Sequence, residues 1–527
     1  MPTLNALLDR SAQEGGGKTA LVFGERTVSF FELRREVLEV AAGLRRAGVA
    51  KGDRVAIVHR NAPEFVVAYF AASRLGAIAV PINFMVSKAD ELAYMLGDCG
   101  AKGVITQSDF LPGLTAAAAK CPALTVLWVT DLAGPSLSPL IQPFSELRAA
   151  SLPDAAADAA LDSDVAAILY TSGTTGFPKG VMLTHRNLVT NCEACLRRMT
   201  LDRGDVALCI LPMFHSFAWT AIVLASLRLT LTCVVFAAIA PAKPWLKAMG
   251  RHGVSLFAAV PQVYAALARE AKNWKPWLFL RFWAFRRVKN AISGAAPLAP
   301  VVAEGFRAAV GVSIVEGWGL TETSPAVTVN PPGAVRFGSV GTAISGVEVR
   351  IVDDLEKTAP LGAEGEVVVR GDCVMKGYWN RPEDTRATFT ADGWLKTGDI
   401  GVLDADGYLC IRDRKKDMII VKGLKVFSAQ VEAVIAENPA VEENAVIGVP
   451  DEVGDEVIKA FVVLKKGCVL EKSALIQYFK ERLDAYKRPR DVEIVDSLPK
   501  NALQKVLKRE LRERELKKRA AAPAAKA

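Results

Sequence analysis

Residues 165–185 read VAAILYTSGTTGFPKGVMLTH. An apolar run with the texture of a buried strand passes directly into a turn dense in hydroxyls and glycine, with one lysine inside it. The composition suits phosphate. Gly173, Gly176 and Gly180 let backbone N–H groups approach an anion closely. Thr171, Ser172, Thr174 and Thr175 add hydroxyl donors, and Lys179 adds a mobile positive charge. The Walker pattern does not fit. Counting from Gly173, its second glycine falls on Pro178, and Gly180 stands where a Ser or Thr would hold magnesium.

Outward from this stretch the chain alternates helix and strand signals. TVSFFELRREVLEVAAGLRRAGV has helical apolar spacing after a capping Ser29, DRVAIVH reads as a strand, PEFVVAYFAASRLGA as a helix and AIAVPIN as a strand. This predicts an α/β architecture with mostly parallel strands. Small and acidic residues at 150–164 predict a surface linker. GVEVRIVDD, GEVVVRG and GYLCIRDR predict a β-rich subregion, and a compact α+β pattern follows residue 416. The expectation is a large domain over 1–413, made of two α/β subdomains and the β-rich one. A small mobile α+β domain follows over 414–515, then a disordered tail over 516–527.

The 527 residues exceed one hydrophobic core, and 51% hydrophobic content marks a folded chain. A net charge of +8 suits anionic small ligands or an acidic membrane surface, and no nucleic-acid module accompanies it. Cys192 and Cys195 form a C-x-x-C inside a helical pattern without a second pair, so they read as reduced helix residues. The N-terminus lacks signal-peptide character, and the expected location is cytoplasmic. Residues 218–240 are apolar enough to raise the question of a membrane span. Arg228 near the middle would cost roughly 2.5–3.5 kcal/mol there, and the β-branched second half favours a buried helix followed by a buried strand.

Further motifs stand in order along the chain: ISGAAPL (292–298), EGWGLTET (316–323), GSVG (338–341), GEVVVRG (365–371), GYWNRPEDT (377–385), GWLKTGDIG (393–401), DRKKDMIIVKG (413–423), YKRP (486–489) and PKNALQK (499–505). With 170–185, this series resembles the adenylate-forming superfamily of acyl-CoA synthetases, luciferases and peptide-synthetase adenylation domains, over roughly residues 20–515. The resemblance implies ATP, Mg2+ and CoA. A carboxylate is first converted to an acyl-adenylate with release of pyrophosphate, and the acyl group then passes to a thiol.

What the resemblance implies for single residues follows. The 172–180 loop would hold the β- and γ-phosphates. Gly294, Ala295, Glu316, Gly317, Trp318 and Gly319 would line the nucleotide site, with the indole on adenine. Thr321 would meet the α-phosphate and Glu322 would be the magnesium carboxylate. Asp399 would accept from both ribose hydroxyls, with Arg414 beside it. Lys505 would be the cation of the adenylation step, although Gln504 stands where the family usually has Gly. Lys416 falls at the family's hinge, and Lys422, Gly423 and Lys425 would serve CoA. His215, Phe217, Val260, Gly294, Gly319 and Leu320 would border the acyl group, with His215 near the reacting carboxylate.

The region 213–219, MFHSFAW, offers no acid to meet a substrate ammonium, and its apolar character favours a medium- or long-chain fatty acid. An aryl acid is the alternative. Transfer to an acyl carrier protein, a luciferase-like oxygenase and a non-catalytic acyl- or nucleotide-binding protein stay open, as does a homodimer. NWKPWLFLRFWAFRRVKN (273–290) interleaves aromatic and basic residues. It fits either peripheral contact with an anionic inner membrane surface or a core helix whose basic residues snorkel outward.

Overall fold

The computed structural model describes residues 3–136, 138–148, 160–171, 178–421, 424–451, 456–501 and 505–521. Most of the predicted 150–164 linker lies outside them. The chain divides into two compact units, Met1–Val349 with Val369–Leu395, and Arg350–Val368 with Lys396–Ala527.

The first unit contains two large sheets. In one, strands Val165–Thr171, Ile78–Pro81, Arg54–Val58, Ala101–Thr106, Val126–Val129 and Ile141–Pro143 run parallel. Lys179–Thr184 and Gly377–Tyr378 add antiparallel strands at one edge. In the other, Ile314–Gly319, Asn290–Ser293, Leu256–Ala259, Val206–Cys209, Thr232–Val235 and Thr19–Phe23 form the parallel run. These strands are apolar on both faces because helices cover both sides. Tyr264, Phe257, Phe285 and Phe306 interlock edge-to-face in the second core.

Local chemistry sets the helix starts as expected. Helix Phe30–Arg46 opens with a capping box: Glu32 N donates to Ser29 Oγ (3.2 Å), and Ser29 N donates to the Glu32 carboxylate (2.8 Å). Residues 218–240 form helical turns through Leu229 and then strand Thr232–Val235, and Arg228 pairs with Glu193 at 3.0 Å. Among the described residues no helix is long and apolar enough to cross a membrane. Cys192 and Cys195 are buried in helix His185–Leu196, and burial pushes the Cys195 thiol up to about 12.

Beyond residue 346 the chain is β-rich, with a four-stranded sheet ordered Val347–Val352, Gly365–Gly371, Leu395–Leu403, Leu409–Arg414. The second unit also carries a sheet of Val441–Pro450, Glu456–Leu464 and Asp491–Ile494. Helices Ser428–Ala436 and Lys472–Arg482 pack their apolar residues into its core.

Disorder was expected from residue 516, but helix Lys508–Ala521 continues through that point. Glu515 anchors it: Lys459 donates to Glu515 (2.7 Å) and also pairs with Asp491 (3.0 Å) and Glu493 (2.9 Å). The Arg509–Glu513 pair, one turn apart at 2.6 Å, supports the exposed face. Lys459→Met should remove the buried partner of Glu515, leaving only the exposed Lys518 at 3.2 Å, and cost up to about 3–5 kcal/mol. Hydrogen exchange should rise selectively across 508–521; unchanged protection there would refute the anchoring role.

Candidate active site

The carboxyl ends of neighbouring parallel strands bring the candidate residues of the first unit together. Register pairs Ala259 with Ser293 and Ser293 with Glu316. Val260, Gly294 and the segment 316–322 therefore leave the sheet side by side. In open α/β sheets this edge is where ligands bind.

Glycine has two different uses along it. A Cβ on Gly319 would lie 1.9 Å from the Pro325 carbonyl oxygen, and one on Gly317 would lie 3.2 Å from the Thr328 oxygen, so both serve backbone packing. A Cβ on Gly294 would instead make ordinary contacts, 3.4 Å from the Phe217 ring and 3.7 Å from the Gly317 oxygen. Gly294 thus leaves open the space that a side chain would take in front of Phe217. Ala295 holds φ +69°, turning the chain sharply there.

His215 caps the turn that carries Phe217, with Phe217 N donating to its Nδ1 at 3.2 Å. Val260 is buried, whereas Phe217, Trp318, Leu320 and Thr321 are half-buried. Ser216 and Ser293 adjoin Phe217 and Gly294 in sequence. Their buried hydroxyls have no hydrogen-bond partner among the described residues. Glu316 is also buried and accepts from Leu298 N at 3.1 Å. Burial pushes its carboxyl up to about 7.

Strand Val165–Thr171 turns back as Lys179–Thr184, with Thr171 paired to Lys179. The candidate loop residues Ser172, Gly173, Thr174, Thr175 and Gly176 lie outside the described residues. The element that follows, Lys179–Thr184, is a strand antiparallel to the first, where the Walker motif has a helix. Lys179 pairs with Asp384 at 2.9 Å, and its ammonium lies 5.3 Å from the centroid of the Tyr378 ring. Tyr378 donates its hydroxyl to Glu322 Oε1 at 2.9 Å. Burial first, and then Glu322, push the phenol pKa up, so it stays a donor.

Asp98 braces the same region, accepting from Tyr170 (2.7 Å) and Arg381 (3.1 Å), while Tyr94 donates to the Pro178 oxygen (3.1 Å). Sequence reasoning assigned no role to Tyr378, Asp384 or Asp98. The available signal was GYWNRPEDT, which contains two of the three.

The second unit gathers other candidates. Asp399 and Arg414 face each other across a hairpin and pair at 2.6 Å, with Asp399 buried. Lys505 keeps an exposed surface, yet the protein around its side chain removes enough water to lower its pKa to about 8. Repulsion from Arg414 adds to this, and attraction from Asp399 opposes it. Burial likewise lowers Lys416. Next to Arg414, Lys508 donates to Ser428 Oγ (2.8 Å) and Ser428 donates to Asp413 (2.8 Å). Lys425 meets Asp354 at 3.4 Å, while Lys422, Gly423 and Gln504 lie outside the described residues.

Two mostly parallel sheets whose strand ends bring Val260, Gly294 and Glu316 side by side define an α/β enzyme class that binds ligands at that edge. The AMP-binding enzyme profile matches residues 8–379, and the AMP-binding enzyme C-terminal domain profile matches 430–505. The chain belongs to the AMP-binding enzyme family.

It is 33% identical over 545 residues to a long-chain-fatty-acid–CoA ligase of Bacillus subtilis (strain 168), covering 97% of this chain and 94% of that protein. It is 36% identical over 507 residues to a feruloyl-CoA synthase of an Amycolatopsis species, covering 96% and 97%. The crystal structure of an anthranilate CoA ligase in complex with anthranoyl-AMP matches with a TM-score of 0.87 at 30% identity, over 97% of each chain.

Glu316 provides a pH signature. Its carboxyl pKa is raised in the fold, so the protonated form is stabilising. That contribution is complete below the unfolded value of 4.5 and is lost as pH rises to about 7. Glu316→Gln removes the titration. Its stability relative to the parent chain should rise over this window by on the order of 3 kcal/mol and then level off. Denaturant unfolding at a series of pH values reads this directly, and a difference independent of pH would contradict it.

Proposed function

We propose that this chain is an ATP-dependent acid–CoA ligase that activates a medium- or long-chain fatty acid through an acyl-adenylate. The observation that carries the reading is the Lys179–Tyr378–Glu322 arrangement, which sets an ammonium and a carboxylate on one phenol at the hairpin. The full-length likeness to CoA ligases, one of them bound to an acyl-adenylate, supports it.

In the first step a carboxylate oxygen of the acid attacks the α-phosphorus of ATP. The bond to the bridging oxygen breaks, and pyrophosphate leaves. In the second, the sulfur of CoA attacks the acyl carbon, AMP leaves with the bonding electrons, and the thiol proton is released. Charge gathers on the α-phosphoryl oxygens during the first step, so cations and donors aimed there stabilise it. We assign that task to Lys505 and Thr321. Asp399 and Arg414 hold the ribose, Trp318 the adenine, and the 172–180 loop the terminal phosphates.

Glu322 fits a magnesium ligand. Tyr378 engages Oε1, and Oε2 has no partner among the described residues, which leaves an oxygen donor for a hard cation. Magnesium bound there would neutralise phosphate charge. Lys416 serves as the hinge between the 1–413 and 414–515 parts, and Lys422, Gly423 and Lys425 serve CoA.

Phe217, Val260, Leu320 and the space at Gly294 form the acyl border, with His215 beside the carboxylate. Their apolar character and the Bacillus relative favour a fatty acid. A fatty acid partitions into bilayers, which places the supply of substrate at a membrane surface. An aryl acid is the second reading, favoured by the feruloyl-CoA synthase likeness and the aromatic wall at Phe217.

An acid panel scored by ATP–pyrophosphate exchange separates the two. Saturated acids from octanoate to stearate should support magnesium-dependent exchange with higher kcat/KM than ferulate or anthranilate. CoA should then give acyl-CoA, whereas acyl carrier protein should not be acylated. The reverse preference selects the aryl reading, and no exchange with any acid defeats both.

Lys505 adds a pH test. Its lowered pKa means that the charge is lost as pH rises through about 8, so kcat/KM for ATP should fall above that pH. Lys505→Arg should flatten this alkaline limb at a lower overall rate. Tyr378→Phe should weaken magnesium dependence or activity by about 10–100-fold by freeing the Glu322 carboxylate. Wild-type half-saturation and rate in that variant would remove Tyr378 from the site.

A further inference from the structure

The stretch 274–287 carries a run of exposed large apolar side chains. Trp274 is 67% exposed, Phe282 60%, and Leu278 and Trp283 42% each. Helix Trp274–Phe279 runs into a π-helical turn, Leu280–Ala284. Trp274, Leu278 and Phe282 recur at four-residue intervals, so they fall along one flank. Leu280, Ala284 and Phe285 fill the core on the other. This stretch buries Leu280, Ala284 and Phe285 yet leaves two tryptophans and a phenylalanine outside, which snorkelling of its basic residues alone does not explain.

Each exposed ring has a cation beside it: Lys275 at 5.4 Å from Trp274, Arg281 at 5.9 Å from Phe282, and Arg286 at 5.2 Å from Trp283. Between Glu270 and Glu304 the chain has no acidic residue. The neighbouring helix Ala242–His252 contributes Lys243, Lys247 and Arg251 and no acid. Trp283 joins the two, because its indole lies where a Cβ on Gly250 would be. Beside it opens a groove of about 560 Å3, lined by Val234, Phe236 and Phe279 with Lys247, Arg251 and Trp283.

We propose that this face docks on an anionic phospholipid bilayer, with the aromatic side chains in the interfacial region and the cations on the headgroups. Indole and phenyl rings flanked by Lys and Arg partition to that depth, and each cation near an anionic surface adds about 1 kcal/mol. Charge complementarity selects the occupant: a purely apolar protein partner would have to bury these cations unpaired. The inference extends the fatty-acid reading by naming the surface from which the acid is collected, but docking itself does not require that chemistry.

The test is co-sedimentation of the full chain with phosphatidylcholine vesicles and with vesicles containing phosphatidylglycerol, without substrates. Binding should appear on the anionic vesicles alone and fall several-fold between 0.1 M and 0.5 M salt, the Debye length shrinking from about 10 Å to less than half of that. The double variant Trp274→Ala, Phe282→Ala should lower partitioning at least tenfold, and Lys247→Glu with Arg251→Glu should abolish the lipid preference. Unchanged thermal midpoints verify folding. Exchange activity with a micelle-free octanoate solution, unchanged in these variants, keeps docking separate from the choice of acid. No binding to either vesicle overturns the proposal, as does a concentration-dependent dimer that the aromatic variants abolish.

Discussion

One phenol ties the hairpin to the strand ends. The Tyr378 hydroxyl donates to Glu322, its ring lies under the Lys179 ammonium, and its backbone pairs with Val181 on the strand that begins at Lys179. The lysine and the carboxylate take different partners: Asp384 pairs with Lys179, and the phenol holds Glu322. A hydroxyl with a raised pKa suits this work, because it donates to Glu322 without competing for a proton at neutral pH.

The rest of the first unit follows from where parallel strands end. Backbone groups at those ends have no sheet partner and must find one elsewhere. Leu298 N finds the Glu316 carboxylate, and Asn330 N donates to the Glu316 oxygen at 2.9 Å. Gly317 and Gly319 let the antiparallel strand Ala326–Val329 come within contact of that segment. At Gly294, by contrast, a Cβ would meet only the Phe217 ring and the Gly317 oxygen, at ordinary contact distances.

Much of this was legible in sequence, though unevenly. Helix and strand periodicity placed Phe30–Arg46, Arg54–Val58, Pro63–Arg74 and Ile78–Pro81, because these elements bury continuous or helically spaced apolar faces. Motif order placed the strand-end residues. Tyr378 and Asp384 were not legible as partners of Glu322 and Lys179, since the first pairing spans 56 positions, the second joins residues 179 and 384, and both depend on an edge strand of two residues. The helix beyond 515 was hidden for the opposite reason. Its composition is that of a solvated tail, and what holds it is tertiary: Leu511 packed in the core, and Lys459, 56 residues upstream, on Glu515.

The two orphaned hydroxyls bear on the choice of acid. Ser216 and Ser293 are buried beside Phe217 and Gly294 in sequence and hydrogen-bond to nothing among the described residues. Both are already out of water, so a hydrocarbon chain beside them would leave that cost, about 1–3 kcal/mol each, unrelieved. The carboxylate end of any acid, by contrast, brings acceptor oxygens. If these hydroxyls face that end, they are indifferent to what lies beyond it, and the hydrocarbon is then read only by Phe217, Val260 and Leu320. Such a division gives tight recognition of the carboxylate and loose recognition of its substituent, because apolar contacts discriminate one methylene by only about 1–3 kcal/mol.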